Sequence, residues 1–468
     1  MNKLDSISPL EVTRRFWDVI VVGAGPAGAM AACELARRSL RVLLVDKSAF
    51  PRAKVCGCCL NGQALALLQA RGLGSTISNL GAVPLRHLLL AAGGRQAILS
   101  LPAGLALSRE VLDMSLANAA VEKGVVFLPN TNATLDAPIP SGRQVILRSN
   151  GHEVLAKASV VLAADGLSGS FSAYSFQETR FRGRDSCRVA GAERSEAPAL
   201  DDMRGQRRLS PGHPVPKNGP AGASPSRNGY LPVVSSDSRI GAAVVVERGP
   251  AFYQSETIYM ACGTGGYVGL VRLEDGRLNI AAALDSQALR AIGHAGCLAA
   301  KILHQAGLPP VPDILQGAWK GTPRLTRHAS LLAAERLFVL GDAASFVEPF
   351  TGEGIAWALQ SAIAVAPLTA RAVHDWKPNL EKEWTATFHR QVERRQIICR
   401  LTAGLLRWPR LTTMLVRLLA FLPSLSSPVI RQLSARTQLR SGKFGTCRKE
   451  LGQVESLPPP LLGTGIPQ

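Results

Sequence analysis

Aromatic residues are scarce. Phe, Trp and Tyr make up 5% of the 468 residues, too few to suggest the stacking platforms that hold single-stranded nucleic acid. Acidic residues are also in short supply: 34 Asp and Glu face 53 Lys and Arg, a net charge of +19. That balance favours an acidic partner, such as an anionic membrane or a phosphorylated ligand. No nucleic-acid-binding motif accompanies the charge, so nucleic acid is not expected as a partner. No charge-free apolar run reaches about 18 residues, so no conventional membrane span is expected. The opening MNKLDSISPLEVTRRF lacks the apolar stretch of a signal peptide, and a cytoplasmic location is expected. The nine cysteines are odd in number, with three close together at Cys56, Cys58 and Cys59. A secreted disulfide framework is therefore not expected. The C-x-C-C run lacks a second ligand pair at zinc spacing and the eight histidines form no ligand pattern, so no metal is expected.

What is present suffices for folded cores. Apolar residues are 46% and charged ones 19%, which excludes global disorder, and the length suggests two or three domains. In WDVIVVGAGPAGAMAACELA, Val19 to Val22 reads as a buried parallel strand. Gly23, Gly25 and Gly28 follow in the spacing G-x-G-x-x-G, and a helix-forming run starts at Ala29. The first glycine permits the tight turn and the second lets backbone approach a pyrophosphate. The third lets helix pack on strand, with the helix N-terminus facing the phosphate charge. RVLLVDK is a second buried strand ending at Asp46, where an acid accepts from an adenosine ribose hydroxyl and would repel a 2′-phosphate. NADP is thereby excluded from this site; NAD and FAD both remain open.

A second motif lies far downstream, in RLFVLGDAASFVEPFTGEGIAWALQSA. Leu337 to Leu340 reads as a strand ended by Gly341 and Asp342. Gly352, Glu353 and Gly354 lead into a helix from about Ile355. A strand-terminal aspartate can accept from a ribityl chain, and a glycine turn at a helix start offers N–H groups to a flavin. A nicotinamide enzyme needs no such second half-site.

With these two motifs the chain resembles FAD-dependent oxidoreductases of the para-hydroxybenzoate hydroxylase type, and among them the geranylgeranyl reductase family. PRAKVCGCCLNGQAL is similar to that family's P-x-x-K-x-C-G segment, and LSREVLDMSLANAAVEKGV to its S-R-x-x-L-D helix. VLAADGLSGSF is similar to its A-D-G strand end. The resemblance spans roughly residues 17–170 and 230–370. It implies FAD bound through Gly23, Gly25, Gly28, Asp46, Arg109, Asp342, Gly352 and Gly354. Their neighbours Pro26, Ala27, Lys47, Arg52, Cys56, Gly57, Asp165, Gly166, Gly341 and Ile355 complete the candidate cofactor set. NAD(P)H is implied as a transient electron donor. The sequence also departs from related patterns. Gly169 and Ser172 stand where the hydroxylase pattern has serine and arginine. The aromatic-Trp-x-aromatic-Pro-Lys signature of many prenyl reductases is missing, as is the W-x-W of flavin halogenases.

The expected fold is α/β, or α+β overall. A Rossmann-like FAD-binding domain would be assembled from 15–70, 100–170 and 320–370 after an N-terminal tail, 1–14. A mixed-sheet substrate region would fill 71–99 and 171–319. Within it, residues 190–229 hold 6 Gly and 6 Pro and few large apolar side chains, a composition that predicts a disordered insertion. Gly263, Gly265 and Gly266 precede a strand, so they read as a turn rather than a nucleotide motif.

Residues 371–468 form a basic helical region; 371–449 alone carry 16 Lys and Arg against 4 Asp and Glu. If helical, Arg400, Arg407, Arg410 and Arg417 cluster within roughly a 100° arc, opposite Leu, Met, Phe and Trp. Pro409 would break or restart the helix. The segment 397–422 is expected either to contact an anionic membrane peripherally, at the inner face of the cell membrane, or to pack on the flavin domain.

Cys56, near Arg52 and Lys54, is a candidate for redox or proton delivery, with pocket lining as its plainer role. Glu353 is a candidate catalytic group, or else a helix cap. His328 reads as a surface or capping residue. Three functions remain open: reduction of a C=C bond in a lipophilic small molecule, hydroxylation of an aromatic or polyketide-like one, and a non-catalytic flavin-binding or membrane-associated module.

Overall fold

The computed structural model describes residues 9–167, 169, 232–348, 350 and 352–422; the predicted insertion 190–229 lies outside them. Apolar runs with no polar alternation build the first sheet, as strands covered on both faces require. Its order is Ala333–Ala334, Leu337–Val339, His152–Ala163, Phe16–Val22, Val42–Val45, Val126–Leu128. The four junctions from Leu337–Val339 to Val126–Leu128 are parallel, with Val19 opposite Val160 on one side and Val42 on the other. A β-ribbon, Asn132–Ile139 and Gly142–Ser149, extends antiparallel from His152–Ala163. Helices Pro26–Ala36, Arg109–Val121 and Gly354–His374 pack around this sheet, and the side chains of Val19, Ile20, Leu43 and Leu44 are wholly buried.

The second sheet runs Lys320–Arg324, Ile240–Val246, Leu278–Leu284, Gly266–Arg272, Thr257–Gly263, His87–Ala92, Arg95–Ser100. Alternation along its strands sends Leu89, Ala91, Tyr259, Ala261 and Ile280 onto helix Ala295–Ala306. The opposite face presents Leu88, Leu90, Met260, Cys262, Tyr267 and Ala283. Gly265, at φ 96°, makes the turn between Thr257–Gly263 and Gly266–Arg272. Lys320–Arg324 lies within a segment expected to belong to the flavin domain. It is instead the edge strand of this second sheet, paired with Ile240–Val246.

Two further expectations about the ends need correction. The N-terminal stretch is not all tail: Pro9–Arg14 is a helix, with Val12 buried and its carbonyl accepting from Trp17 Nε1 at 3.3 Å. The C-terminal region is not one amphipathic surface either. Helix Gly354–His374 runs on through Pro367, and Asn379–Phe388 follows. Trp384 and Phe388 are buried in the main core, and Trp384 Nε1 donates to the Val339 carbonyl at 3.0 Å. Arg394–Leu405 and Pro409–Phe421 are separate helices, with Pro409 at the first turn of the second. The four arginines therefore do not share one helical arc. Arg407 sits between the helices and pairs with Asp237 at 3.2 Å.

Candidate active site

The glycine turn joins Phe16–Val22 to Pro26–Ala36. Gly23 has φ 100°, and a Cβ there would lie 2.3 Å from the Ala164 carbonyl oxygen, so only glycine fits. A Cβ on Gly28 would lie 1.8 Å from the Gly23 oxygen; this glycine allows helix and strand to close. Gly25 differs. The nearest atoms to a Cβ there are Arg52 Nη2 at 3.5 Å and Arg109 Nη2 at 3.8 Å. Its open side faces a cavity of about 290 Å³, and two guanidinium groups converge on that space.

One buried acid organises those cations. Arg109 opens helix Arg109–Val121 after the Ser108 cap, and its guanidinium pairs with Asp113 through bonds of 2.8 and 2.9 Å. Arg52 reaches Asp113 and Asp46, each at 3.3 Å. Asp46 accepts from the Ala24 N–H at 2.8 Å and the Ser48 N–H at 2.9 Å. Lys54 lines the same cavity. Burial, then Arg109 and Arg52, pull its ammonium below the usual lysine range. The buried Nε of Arg52 has no hydrogen-bond partner. An orphan cationic donor, two further cations, an open glycine and a helix N-terminus together fit a diphosphate.

A second cavity of about 240 Å³ shares Pro26, Lys54, Val55, Arg109, Thr322, Asp342 and Ala358 with the first. Asp342 follows strand Leu337–Val339 in the turn Gly341–Ala343. Burial pushes its carboxyl up to about 6, against the opposing pull of Lys54 and Arg109. Gly352, at φ 79°, precedes the helix, which begins at Gly354. Glu353 occupies the capping position but makes no side-chain cap bond. It is buried, lines the cavity and accepts from the Cys399 thiol at 3.1 Å. The capping expectation for its side chain is thereby corrected.

Cys56, Gly57 and Cys59 line this cavity too. The Cys58 thiol, hydrogen-bonded to Cys56, holds the Cys56 thiol well below the usual range, aided by Arg109. Burial and Cys56 push Cys59 up to about 12. Among the described residues no group of three or more His, Cys, Asp or Glu is placed to hold a metal ion.

The rest of the second cavity is apolar. Leu85, Leu88, Leu101, Ile258, Met260, Phe346 and Phe350 form walls, while Gly269 and Ala281 to Ala283 leave space above the second sheet. Runs of small residues in LNIAAAL and IGAAVVV thus create volume where larger β-formers would fill it.

The candidate residues divide between these cavities. Gly23, Gly25, Ala27, Asp46, Lys47, Arg52, Asp165 and Gly166 line the first, and Pro26 lines both. Cys56, Gly57, Gly352, Glu353, Gly354 and Ile355 line the second, and Arg109 and Asp342 line both. Gly28 and Gly341 line neither; a Cβ on Gly341 would lie 2.7 Å from Ala27 Cβ, so both serve packing. His328 is exposed on the short strand Arg327–His328. Gly169 has a local reason: a Cβ there would lie 2.0 Å from an Asp165 carboxylate oxygen. The serine of the hydroxylase pattern would require the Asp165 carboxylate to move.

Sequence reasoning passed over Lys54, Asp113 and Asn279 as site residues. Asp113 carried a signal, standing four residues after Arg109 on one helix face. Buried Asn279 donates to the Cys56 carbonyl at 3.1 Å, tying the cysteine loop to the second sheet, and nothing local marks it.

Residues 17–191 match the family described as FAD binding domain. The menaquinone reductase of Mycobacterium tuberculosis (strain CDC 1551 / Oshkosh) is 35% identical over 158 residues, covering 32% of this chain and 37% of that protein. The digeranylgeranylglycerophospholipid reductase of Methanococcus vannielii is 24% identical over 189 residues, 40% of this chain and 47% of that protein. The chain thus matches less than half the length of either relative. A geranylgeranyl bacteriochlorophyll reductase-like protein of Thermoplasma acidophilum shares the fold, with TM-score 0.66 at 17% identity over 90% of this chain and 96% of that one. The glycine turn and the Asp342 turn thus lie on one α/β frame, whose residues 17–191 match an FAD binding domain.

Proposed function

We propose that the protein binds one FAD and uses it to reduce a C=C bond in a lipophilic, prenyl-like molecule. The observation that carries this reading is that two unlike cavities adjoin across shared lining residues. One is lined by cations and glycine backbone, the other by leucines, Met260 and phenylalanines, and Lys54, Arg109 and Asp342 stand at their junction. The names of the menaquinone and digeranylgeranylglycerophospholipid relatives support the substrate class. NAD(P)H is proposed as the electron donor.

In this reading Arg52, Lys54 and Arg109 would hold the diphosphate, Asp46 the ribose and Asp342 the ribityl chain. Gly352 and Gly354 would offer backbone to the flavin ring. When bound, FAD supplies the hydride chemistry. Cys56, its thiol held below the usual range by Cys58 and Arg109, and buried Glu353 are the polar groups of the apolar cavity suited to orient a substrate or move a proton. The apolar walls exclude water from that end.

The test is direct. Purified protein should be yellow, bleach with NADH or NADPH under anaerobic conditions, and recover its colour on addition of a polyprenyl quinone or unsaturated prenyl lipid. Oxygen uptake coupled to substrate would instead assign a monooxygenase. A colourless protein that takes up no FAD would leave a non-catalytic module.

A further inference from the structure

We propose that the helices Arg394–Leu405 and Pro409–Phe421 form a docking surface for an anionic lipid bilayer. The inference does not depend on the reaction assigned above. Helix Pro409–Phe421 has two apolar faces. Thr412, Leu415, Val416 and Leu419 turn inward, toward the strands His87–Ala92 and Arg95–Ser100. Leu411, Met414, Leu418 and Phe421 fall within roughly an 80° arc on another side, at about 100° per residue. These four are exposed, Met414 by 68% and Phe421 by 75%. Trp408 and Leu401 add to the patch, each 69% exposed. Eight of the large apolar side chains exposed among the described residues lie between 397 and 422, a concentration that marks an interaction surface.

Charge selects the occupant. Residues 394–421 hold six arginines and no acidic residue. Arg394, Arg400, Arg410 and Arg417 are exposed, and Arg410 and Arg417 border the outward apolar arc along one side, next to Phe421. A second copy of this surface would set arginine against arginine. An anionic bilayer offers phosphate to the arginines and acyl chains to the leucines, Met414 and Phe421. The position also has a consequence. Val416 and Leu419 belong to the same apolar cluster as Met260, Tyr267 and Phe350, which line the apolar cavity. The docked helix would therefore lie beside the wall of that cavity.

Co-sedimentation of the full, FAD-loaded chain with vesicles tests this. Binding is expected to phosphatidylglycerol–phosphatidylcholine vesicles, weakened by salt, and not to phosphatidylcholine alone. Arg410→Gln with Arg417→Gln should weaken it roughly thirtyfold, at about 1 kcal/mol per basic residue. Met414→Gln with Phe421→Gln should abolish it while flavin absorbance and unfolding temperature hold. If that pair lowers the unfolding temperature, the arginine pair, whose side chains face water, decides. No binding by the wild type, or equal binding by the arginine variants, overturns the proposal. So does a wild-type dimer in sedimentation velocity that Met414→Gln with Phe421→Gln dissolves, which would assign the face to a second copy.

Discussion

Gly25 and Asp342 show how differently two residues of one site respond to change. A Cβ at Gly25 meets only the ends of two arginine side chains, so Gly25→Val should leave the fold intact while filling the proposed pyrophosphate space. The purified variant is expected to have lost its visible flavin absorbance with an unchanged unfolding transition. Full flavin content would remove this turn from the site.

Asp342 combines a proposed cofactor role with a stability cost. Its carboxyl titrates near 6 in the fold, against 3.8 ordinarily. A raised carboxyl favours the fold at low pH and loses that advantage as pH rises through about 6. The cofactor-free protein should therefore weaken between pH 4 and 7 relative to Asp342→Asn, by at most about 3 kcal/mol. Denaturant titrations at the two pH values measure the difference. The same substitution should weaken FAD binding by about 1.5–3 kcal/mol through loss of a charged acceptor. Equal pH dependence in both proteins would show that burial does not govern this group.

At the scale of elements, the C-terminal helices are joined to the core by buried polar links. Arg239, on the run leading into Ile240–Val246, pairs with Glu348 at 2.6 Å and donates to the Leu406 carbonyl at 3.2 Å. Both charged side chains are nearly wholly buried. Arg239→Met leaves Glu348 unpaired in the interior and should cost about 3–5 kcal/mol. Adding Glu348→Leu should restore most of that loss, since a buried pair replaced by apolar groups is often neutral. Chemical denaturation of the three variants is the measurement, and a double variant no better than the single would refute the account.

For the whole molecule, the question is where the fold ends. The basic composition after residue 371 suggests an appendage, yet Trp384, Phe388, Val392 and Cys399 belong to the main core. A chain stopped after residue 378 should accordingly fail to yield folded, flavin-binding protein, because it exposes the surface those side chains cover. Trp384→Ala in the full chain should already cost about 3–5 kcal/mol. Soluble, yellow truncated protein would show that these helices are dispensable.

Much of the first half-site was legible because its physics is local. A glycine turn, a buried strand and a terminal acid each declare themselves within a few residues, and left-handed backbone at Gly23 and Gly352 is a demand that sequence displays directly. The small-residue strands over the apolar cavity were legible as strands, not as cavity floor. What remained hidden depends on contacts distant in sequence. Asn279 reaches Cys56 across 223 positions, and Lys320–Arg324 joins whichever sheet offers it an edge. The regular spacing of Arg400, Arg407, Arg410 and Arg417 suggested one surface, but Pro409 starts a second helix and Asp237 captures Arg407. Periodicity along a chain assigns a face only while one helix axis continues. Thus the glycine turn after the first strand, the turn that holds Asp342, the α/β class and the basic charge of the C-terminal region followed from sequence alone, since propensity, glycine conformation and charge are properties of neighbours. The adjoining of two cavities at Lys54, Arg109 and Asp342, the second sheet's boundaries and the face the last helix leaves exposed were decided by tertiary packing, which alone sets what each side chain meets.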